Sequence, residues 1–587
     1  LLFATGTGVQ QYFDAFGGWR YGAWIIVSSV FIEATFSLAD WWLTHEKGKM
    51  LHVYGVLAIE NALTNVIRVT LFAVGTVRAA KVLHEKILNA VVSAPVLFFD
   101  VNPAGRVLQR MAGDFFDVEV VLPHFLEHAW LCMSHVIGIV VTMLILAPFT
   151  VIGLLPIFTF YFYLQKVYTA NNRETKRLQS LSQSPVASVV SEAISGQQVI
   201  RAFNMESKYE VLFFKNFDGF TRSEVLMKHM GYWQHLRVQF CGACIAFTAC
   251  LVCSLTTSAG VAGLVINFAI IINFYLGGWV YLMSETEAFL TSVERIGEYV
   301  DMKQEAARYI PGKCPVQPWP SAGRVEFDQV CLRYRPKLSL ALKSASFTVP
   351  GGTTCGVVGR TGAGKSTLAV ALFRLFEIES GQIRVDGVNM GELGLQACRR
   401  AISIVPQNPV LFNSNVRTNL DPFGEYNDSD MWMVLEKTNL IESIQKLILG
   451  ENQDPKTLRS SVLEAQIAEN GENLSVGTRQ LFCLARAMLQ KPKVMILDEA
   501  TSALDLGTDR VVQKTLREQF KQCTVIIVAH RLETIASCDS IIVMSQGSVK
   551  EQGPPESLIE DTNGAFYKLV EATGKSLAEL RASSDNG

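Results

Sequence analysis

Six apolar stretches, each long enough to cross a bilayer as a helix, occupy the first half of this chain: residues 22 to 43, 54 to 77, 128 to 147, 149 to 168, 238 to 257 and 261 to 283. A span needs about 20 helical residues, because hydrocarbon offers no partner to an unpaired backbone group. The connections alternate between short and long. A polar turn (HEKGKM, 45 to 50), a break at Pro148 and the segment Thr256 to Gly260 are short, whereas residues 78 to 127 and 169 to 237 form long connections. Lys and Arg crowd the long ones (Arg78, Lys81, Lys86, Arg106, Arg110; Arg173, Lys176, Arg177, Arg201), which places them, and both termini, in the cytosol. The chain is expected to be an integral, multi-pass membrane protein, with the lipid bilayer as its first partner.

The long connections do not read as disordered linkers. Apolar residues recur in them at helical spacing (Val82, Ile87, Val91; Val186, Val189, Val190, Ile194), so the spanning helices should continue well beyond the membrane. Asn102-Pro103-Ala104-Gly105 and Ser184-Pro185 are breakers at which a short crosswise helix is expected. Ionisable residues within the spans are costly, so Glu33, Glu60 and Arg68 should face protein or water, pairing between helices or lining a path. Asp40 before Trp41 and Trp42 reads as an interfacial anchor. Cys241, Cys244, Cys250 and Cys253 lie in an apolar helix whose loops are too short for a zinc ribbon, so they read as small packing residues.

Composition supports this division. Of the 587 residues 49% are hydrophobic and only 18% charged, and a formal net charge of -2 leaves no basic surplus for nucleic acid, which is not an expected partner. Residues 1–300 therefore form the expected membrane domain, 301–322 a linker carrying Pro311, Pro315, Pro318 and Pro320, 323–573 a second domain and 574–587 a tail. With no initiator Met at Leu1, the chain reads as a piece of a longer polypeptide.

In the second domain short apolar runs (CGVVG, AISIVP, VMILD, TVIIVAH, SIIVMSQG) alternate with amphipathic helices, the pattern of a parallel sheet covered on both faces. The fold class is thus an all-α six-helix transmembrane domain followed by an α/β P-loop NTPase domain. The loop comes directly after the first of these strands and reads Gly359-Arg360-Thr361-Gly362-Ala363-Gly364-Lys365-Ser366-Thr367. Its glycines let backbone amides converge on phosphates, Lys365 adds a point charge, and Ser366 can ligate Mg²⁺ as the helix begins. The run Val494 to Glu499 is a buried strand ending in two carboxylates. Asp498 is placed to hold the Mg²⁺ hydration shell and Glu499 to polarise an attacking water. ATP and Mg²⁺ are the implied cofactors. Ser475 reads as the N-cap of a helix with Leu481, Leu484, Ala485 and Met488 on its apolar face, and Gly477 permits close approach to the positive end of that helix. Such an end suits the far side of a nucleotide held by a second copy of the domain.

These residues resemble the ATP-binding cassette transporters. Gly359 to Ser366 is similar to their Walker A motif, Val494 to Glu499 to Walker B, and Leu474-Ser475-Val476-Gly477 to a variant of the LSGGQ signature. The resemblance makes Gln407 the Q-loop residue that senses the γ-phosphate and joins Ser366 and Asp498 around the metal. It makes Ser502 to Asp505 the D-loop, His530 the switch histidine, and Tyr334 the aromatic that stacks on adenine. The wording GRTGAGKSTL, QNPVLFNSNVRTNLDPF, ENLSVGTRQ and DEATSALD is closest to the carboxy-terminal half of subfamily C, the multidrug-resistance-associated proteins, and FFDVNPAGR and TSVERIGEY agree. The resemblance implies exporter-type architecture, ATP-driven export of a small-molecule substrate, anionic or glutathione-conjugated by default, and a partner in the amino-terminal half of the same transporter. The plasma membrane or a vacuolar or lysosomal membrane is the implied location. An ATP-gated anion channel or channel-regulating subunit of the same subfamily is the alternative, and the six spans exclude a soluble ATPase.

Two departures matter. Val476 and Thr478 replace the second glycine and the glutamine of the common signature while Glu499 is intact, as in a transporter with two unequal ATP sites. Organic-anion exporters of the subfamily carry a Trp and an Arg where this chain has Gly278 and Tyr281; Trp233 and Arg237 on the preceding helix are other candidate contacts.

Overall fold

The computed structural model describes residues 7–45, 51–256, 258–313, 315–316, 318–448, 462–498, 515–516, 518–529 and 532–586. It divides into two compact units, Leu1–Ala94 with Asn102–Lys303, and Pro95–Val101 with Gln304–Gly587.

The first unit is helical. A short helix, α1 (Thr7–Phe16), precedes α2 (Gly18–His45) and α3 (Leu51–Val92). Two short helices follow, α4 (Val96–Val101), which clusters with the second unit, and α5 (Ala104–Leu108), with Pro103 as N-cap. The remaining long helices are α6 (Leu122–Leu146), α7 (Val151–Ser195), α9 (Glu206–Thr256) and α10 (Ala259–Val300), with the short α8 (Gln197–Ala202) between α7 and α9. At 1.5 Å per residue the 51 residues of α9 reach about 76 Å, more than twice the ~30 Å hydrocarbon core, so the helix continues beyond any bilayer.

Of the six stretches, five fall in helices long and apolar enough to span a membrane, among the described residues. The stretch at 54 to 77 lies in α3, whose length suffices but whose polarity is raised by Glu60, Asn61, Asn65 and Arg68. Those groups are partnered. Asn61 donates to the Ile32 carbonyl at 2.8 Å, Thr64 donates to Glu60 at 3.1 Å, and Arg68, 3% exposed, donates to Asn65 and lies 3.7 Å from Glu127 of α6. Glu33 of α2 meets His135 of α6 at 2.7 Å. Glu33 and Arg68 thus meet groups on another helix, as an intramembrane charge requires, whereas the partner of Glu60 is Thr64 on its own helix.

The core of this unit lies among α6, α7, α9 and α10, where Met143, Tyr161, Ile245, Phe268 and Ile272 are fully buried. Cys253 is buried in it and Cys241 is buried beside it, both as free thiols, whereas Cys244 is half-buried and Cys250 exposed, so only part of the cysteine set packs inside. Between α5 and α6 the chain widens into two π-type turns, Gln109–Asp114 and Asp117–Val121. Asp114 is buried there and accepts from Arg295 of α10 at 2.6 and 3.0 Å and from Arg110 at 2.7 Å. Asp117 accepts from Ser292 at 3.0 Å.

One breaker acts as expected and one does not. Asn102-Pro103 separates α4 from α5, whereas α7 runs through Pro185 and ends only at Gly196. Proline removes a single N–H and can bend a helix without ending it, and Pro185 lies exposed within α7.

Among the described residues the second unit contains two larger sheets and a short antiparallel pair, β7 (Ser414–Asn415) with β8 (Gln466–Ile467). An antiparallel sheet of order β2-β1-β4-β5 uses β1 (Val325–Leu332), β2 (Leu342–Val349), β4 (Ser380–Val385) and β5 (Val388–Asn389). The other has order β12-β11-β3-β10-β9-β6, from β3 (Thr354–Gly359), β6 (Ile402–Val405), β9 (Val494–Asp498), β10 (Thr524–Val528), β11 (Ser540–Ser545) and β12 (Ser548–Gly553). All of its pairings except β11 with β12 are parallel. One core is shared by the two sheets, and a second packs the helices between residues 416 and 490 on β9 and β6. The proline-rich stretch is not slack where it meets this unit. Asp386 collects the backbone N–H groups of Ser321, Ala322, Gly323 and Arg324 at 2.7 to 3.1 Å, Trp319 donates to the Val385 carbonyl at 3.1 Å, and Arg399 pairs with Glu305.

Candidate nucleotide-binding site

Parallel pairing of β3, β10, β9 and β6 brings the carboxyl ends of four strands to one edge of the sheet, where open α/β sheets bind their ligands. β3 ends at Gly359 and the phosphate loop begins. Gly359 and Gly364 have φ of +153° and +98°, and a Cβ would come within 2.4 Å of the Met544 carbonyl oxygen at the first and 2.9 Å of that of Ala341 at the second. Only glycine fits this path. The loop then enters α11 (Lys365–Leu372) with Gly364 at its N-cap, so the first backbone N–H groups of the helix face the loop.

Lys365 is 5% exposed, and its ammonium donates to the carbonyl oxygens of Gly359 at 2.9 Å and Arg360 at 3.4 Å. Ser366 donates to Asp498 Oδ1 at 3.0 Å, which joins the loop after β3 to the end of β9. Thr367 is buried and shares a 2.9 Å hydrogen bond with the Tyr334 hydroxyl, and the Tyr334 ring stands edge-on to Phe376. Arg360 and Thr361 are exposed, Ala363 is buried with its carbonyl accepting from Gly547 at 3.0 Å, and Gly362 (φ +79°) lies in open space. A loop of outward amides with a buried cation fits a polyphosphate. A hydroxyl facing a carboxylate fits a hydrated divalent ion beside it.

Gln407 is exposed two residues past β6. Ser475 caps the helix Val476–Gln490, its hydroxyl accepting from the Thr478 N–H at 3.1 Å, with Gly477 buried and Val476 40% exposed. Glu499, His530 and Ser502 to Asp505 lie outside the described residues; β9 ends at Asp498 beside Glu499, and β10 leads to Ala529 beside His530.

Sequence reasoning passed over Gln480. It is 3% exposed on that helix, and its side-chain amide donates to the carbonyl oxygens of Gln407 at 3.0 Å and Pro406 at 3.2 Å. Arg486, one and a half turns on, donates to the Val410 carbonyl and to the Asn419 side chain, both at 3.0 Å. The signal was available: a glutamine four residues before Leu484 lies on the buried stripe of an amphipathic helix.

Comparison with known proteins agrees with this geometry. Residues 12–280 match the ABC transporter transmembrane region and residues 342–502 the ABC transporter family. The chain belongs to the ABC transporter family and is a multi-pass integral membrane protein. Its relatives include members of sub-family C. It is 37% identical over 527 residues to human ATP-binding cassette sub-family C member 3, 36% over 526 residues to rat sub-family C member 2, and 39% over 531 residues to Multidrug resistance protein mrp-7 of Caenorhabditis elegans. Each alignment covers 89% of this chain but only 33 to 34% of the relative, so the chain spans about a third of the length of the curated relatives it matches.

Proposed function

We propose that this chain is the carboxy-terminal half of an ATP-driven exporter of organic compounds, whose amino-terminal half supplies the other membrane and nucleotide-binding domains. The observation that carries this is the Ser366–Asp498 hydrogen bond beneath a glycine-walled phosphate loop, in a chain that also carries membrane-spanning helices. Relatives named as sub-family C transporters support it.

In this reading the loop amides and Lys365 bind the ATP phosphates, and Tyr334 supports the adenine. Ser366, Asp498 and Gln407 would hold Mg²⁺, which supplies charge neutralisation at the phosphates. Glu499 orients and polarises the attacking water, and His530 steadies the γ-phosphate end of the site. Ser475 and Gly477 present their helix end to a nucleotide held by the other half, and Val476 and Thr478 make that second site the weaker one. Binding closes the paired domains through differential affinity for the closed state, and hydrolysis resets them.

The test is ATP-dependent uptake of a labelled glutathione conjugate and of a neutral drug into inside-out vesicles bearing the full-length transporter. Export predicts uptake of at least one, abolished by Glu499→Gln with ATP binding retained. A flat result for both, or undiminished turnover in Glu499→Gln, would sink the reading.

A further inference from the structure

The membrane unit contains a pocket of about 400 Å³ between α7, α9 and α10. Val238 and Val280 form a buried floor, and Tyr168, Tyr232 and Tyr281 line it from three different helices. A Cβ at Gly231 would meet nothing within 4 Å, so the wall is open there. The decisive residue is Gln234, also in the lining. It is 5% exposed, yet both its amide nitrogen and its amide oxygen are buried without a hydrogen-bond partner among the described residues. Native proteins rarely leave a buried amide so, because an unmet donor or acceptor forfeits its hydration with nothing in return.

Charge narrows the occupant. Lys228 at the pocket is paired with Glu224 at 3.0 Å, and Glu285 on α10 is paired with Lys176 at 2.7 Å. His235 faces Gln239 at 3.4 Å. Arg237 is outside the lining, 4.0 Å above the Trp233 ring and donating to the Trp233 carbonyl. The cations around this pocket are thus engaged, while Gln234 and three tyrosines are among the residues that line it.

The geometry points to a binding site for an uncharged planar aromatic carrying a carboxamide or lactam, which would pair donor-to-acceptor and acceptor-to-donor with Gln234 while its ring packs on the tyrosines. Resting on the export reading above, this makes the pocket a substrate site selective for neutral amides over carboxylates.

The test is equilibrium binding of tritiated quinoline-3-carboxamide to the purified full-length transporter without ATP, so that it does not depend on transport. Quinoline-3-carboxylate and unsubstituted quinoline serve as competitors. The carboxamide should bind more tightly than either. Gln234→Leu should weaken the carboxamide by about tenfold while leaving quinoline unchanged, since a site built around a hydrogen bond discriminates by that bond. Tyr281→Leu should weaken the carboxamide and quinoline together, and unaltered thermal unfolding of the membrane unit in detergent shows that both variants are folded. Carboxamide affinity unaffected by Gln234→Leu, or preference for the carboxylate, would overturn the proposal. Intact carboxamide binding with flat vesicle uptake would instead remove the export reading and leave this site standing.

Discussion

The side-chain amide of Gln480 donates a 3.0 Å hydrogen bond to the backbone carbonyl of Gln407, tying the helix capped by Ser475 to the segment that follows β6. With Arg486 holding Val410 and Asn419 farther along, the helix and the loop are fastened at two points. A displacement of one must carry the other.

Gln480→Leu keeps the volume and removes the donor, leaving two carbonyls short of a partner. The nucleotide-binding unit should lose about 1–3 kcal/mol, read by denaturant unfolding. Substrate-stimulated ATPase of the full transporter should fall more than its ATP affinity does. Equal loss of both, or of neither, would refute the coupling.

Lys365→Ala removes a buried cation whose partners include two loop carbonyls. ATP affinity should fall by roughly 10- to 100-fold, the worth of one charge-assisted hydrogen bond, measured by equilibrium binding of a labelled analogue. Asp498→Asn should weaken the Mg²⁺ dependence of binding more than binding in chelator.

Asp114 is 4% exposed and Arg295 35%, so their bidentate pair is buried from one side only. Asp114→Ala should cost the membrane unit about 1–3 kcal/mol, less than a wholly buried pair because Arg295 can turn to water. Arg295→Lys keeps the charge but not the fork and should recover only part of it. Thermal unfolding in detergent is the measurement.

Burial works against the charge on Asp386, but the N–H groups of Gly323, Arg324, Ala322 and Ser321 outweigh it and hold the carboxyl below its usual range. A carboxylate depressed in the folded state stabilises above its unfolded pKa, and that contribution is lost as pH falls through the lower folded value. The stabilisation should be constant from neutrality to about pH 5 and shrink below about pH 4. Asp386→Ala should flatten that acid limb of the unfolding profile and cost about 1–2 kcal/mol at pH 7. An unchanged limb would show that other carboxylates govern it.

Local chemistry was legible wherever one residue type has one use. The glycines at 359 and 364 and the serine at 475 announced a loop and a cap, and the structure has both. The strand runs were equally clear, since apolar stretches such as Val494 to Leu497 suit only a sheet covered on both faces. What sequence misjudged depended on neighbours. Pro185 looked like a helix end because propensity counts the lost N–H and not the helix's ability to bend through it, and the stop came at Gly196 instead. Gln234 was invisible for a related reason, and the buried stripe that marks Gln480 does not name its partners: whether a glutamine is solvated, bonded or stranded is decided by residues distant in sequence.

The unbroken length of α9 has a mechanical corollary. A rod of about 76 Å that tilts by about 10° carries its far end through about 13 Å, so a modest rotation at one end becomes a displacement wider than a helix at the other. Gln234 and Tyr232 sit near its midpoint, where a tilt about one end carries them half as far. A ligand held there would be swept sideways with the helix by half of the travel that reaches the end of the lever.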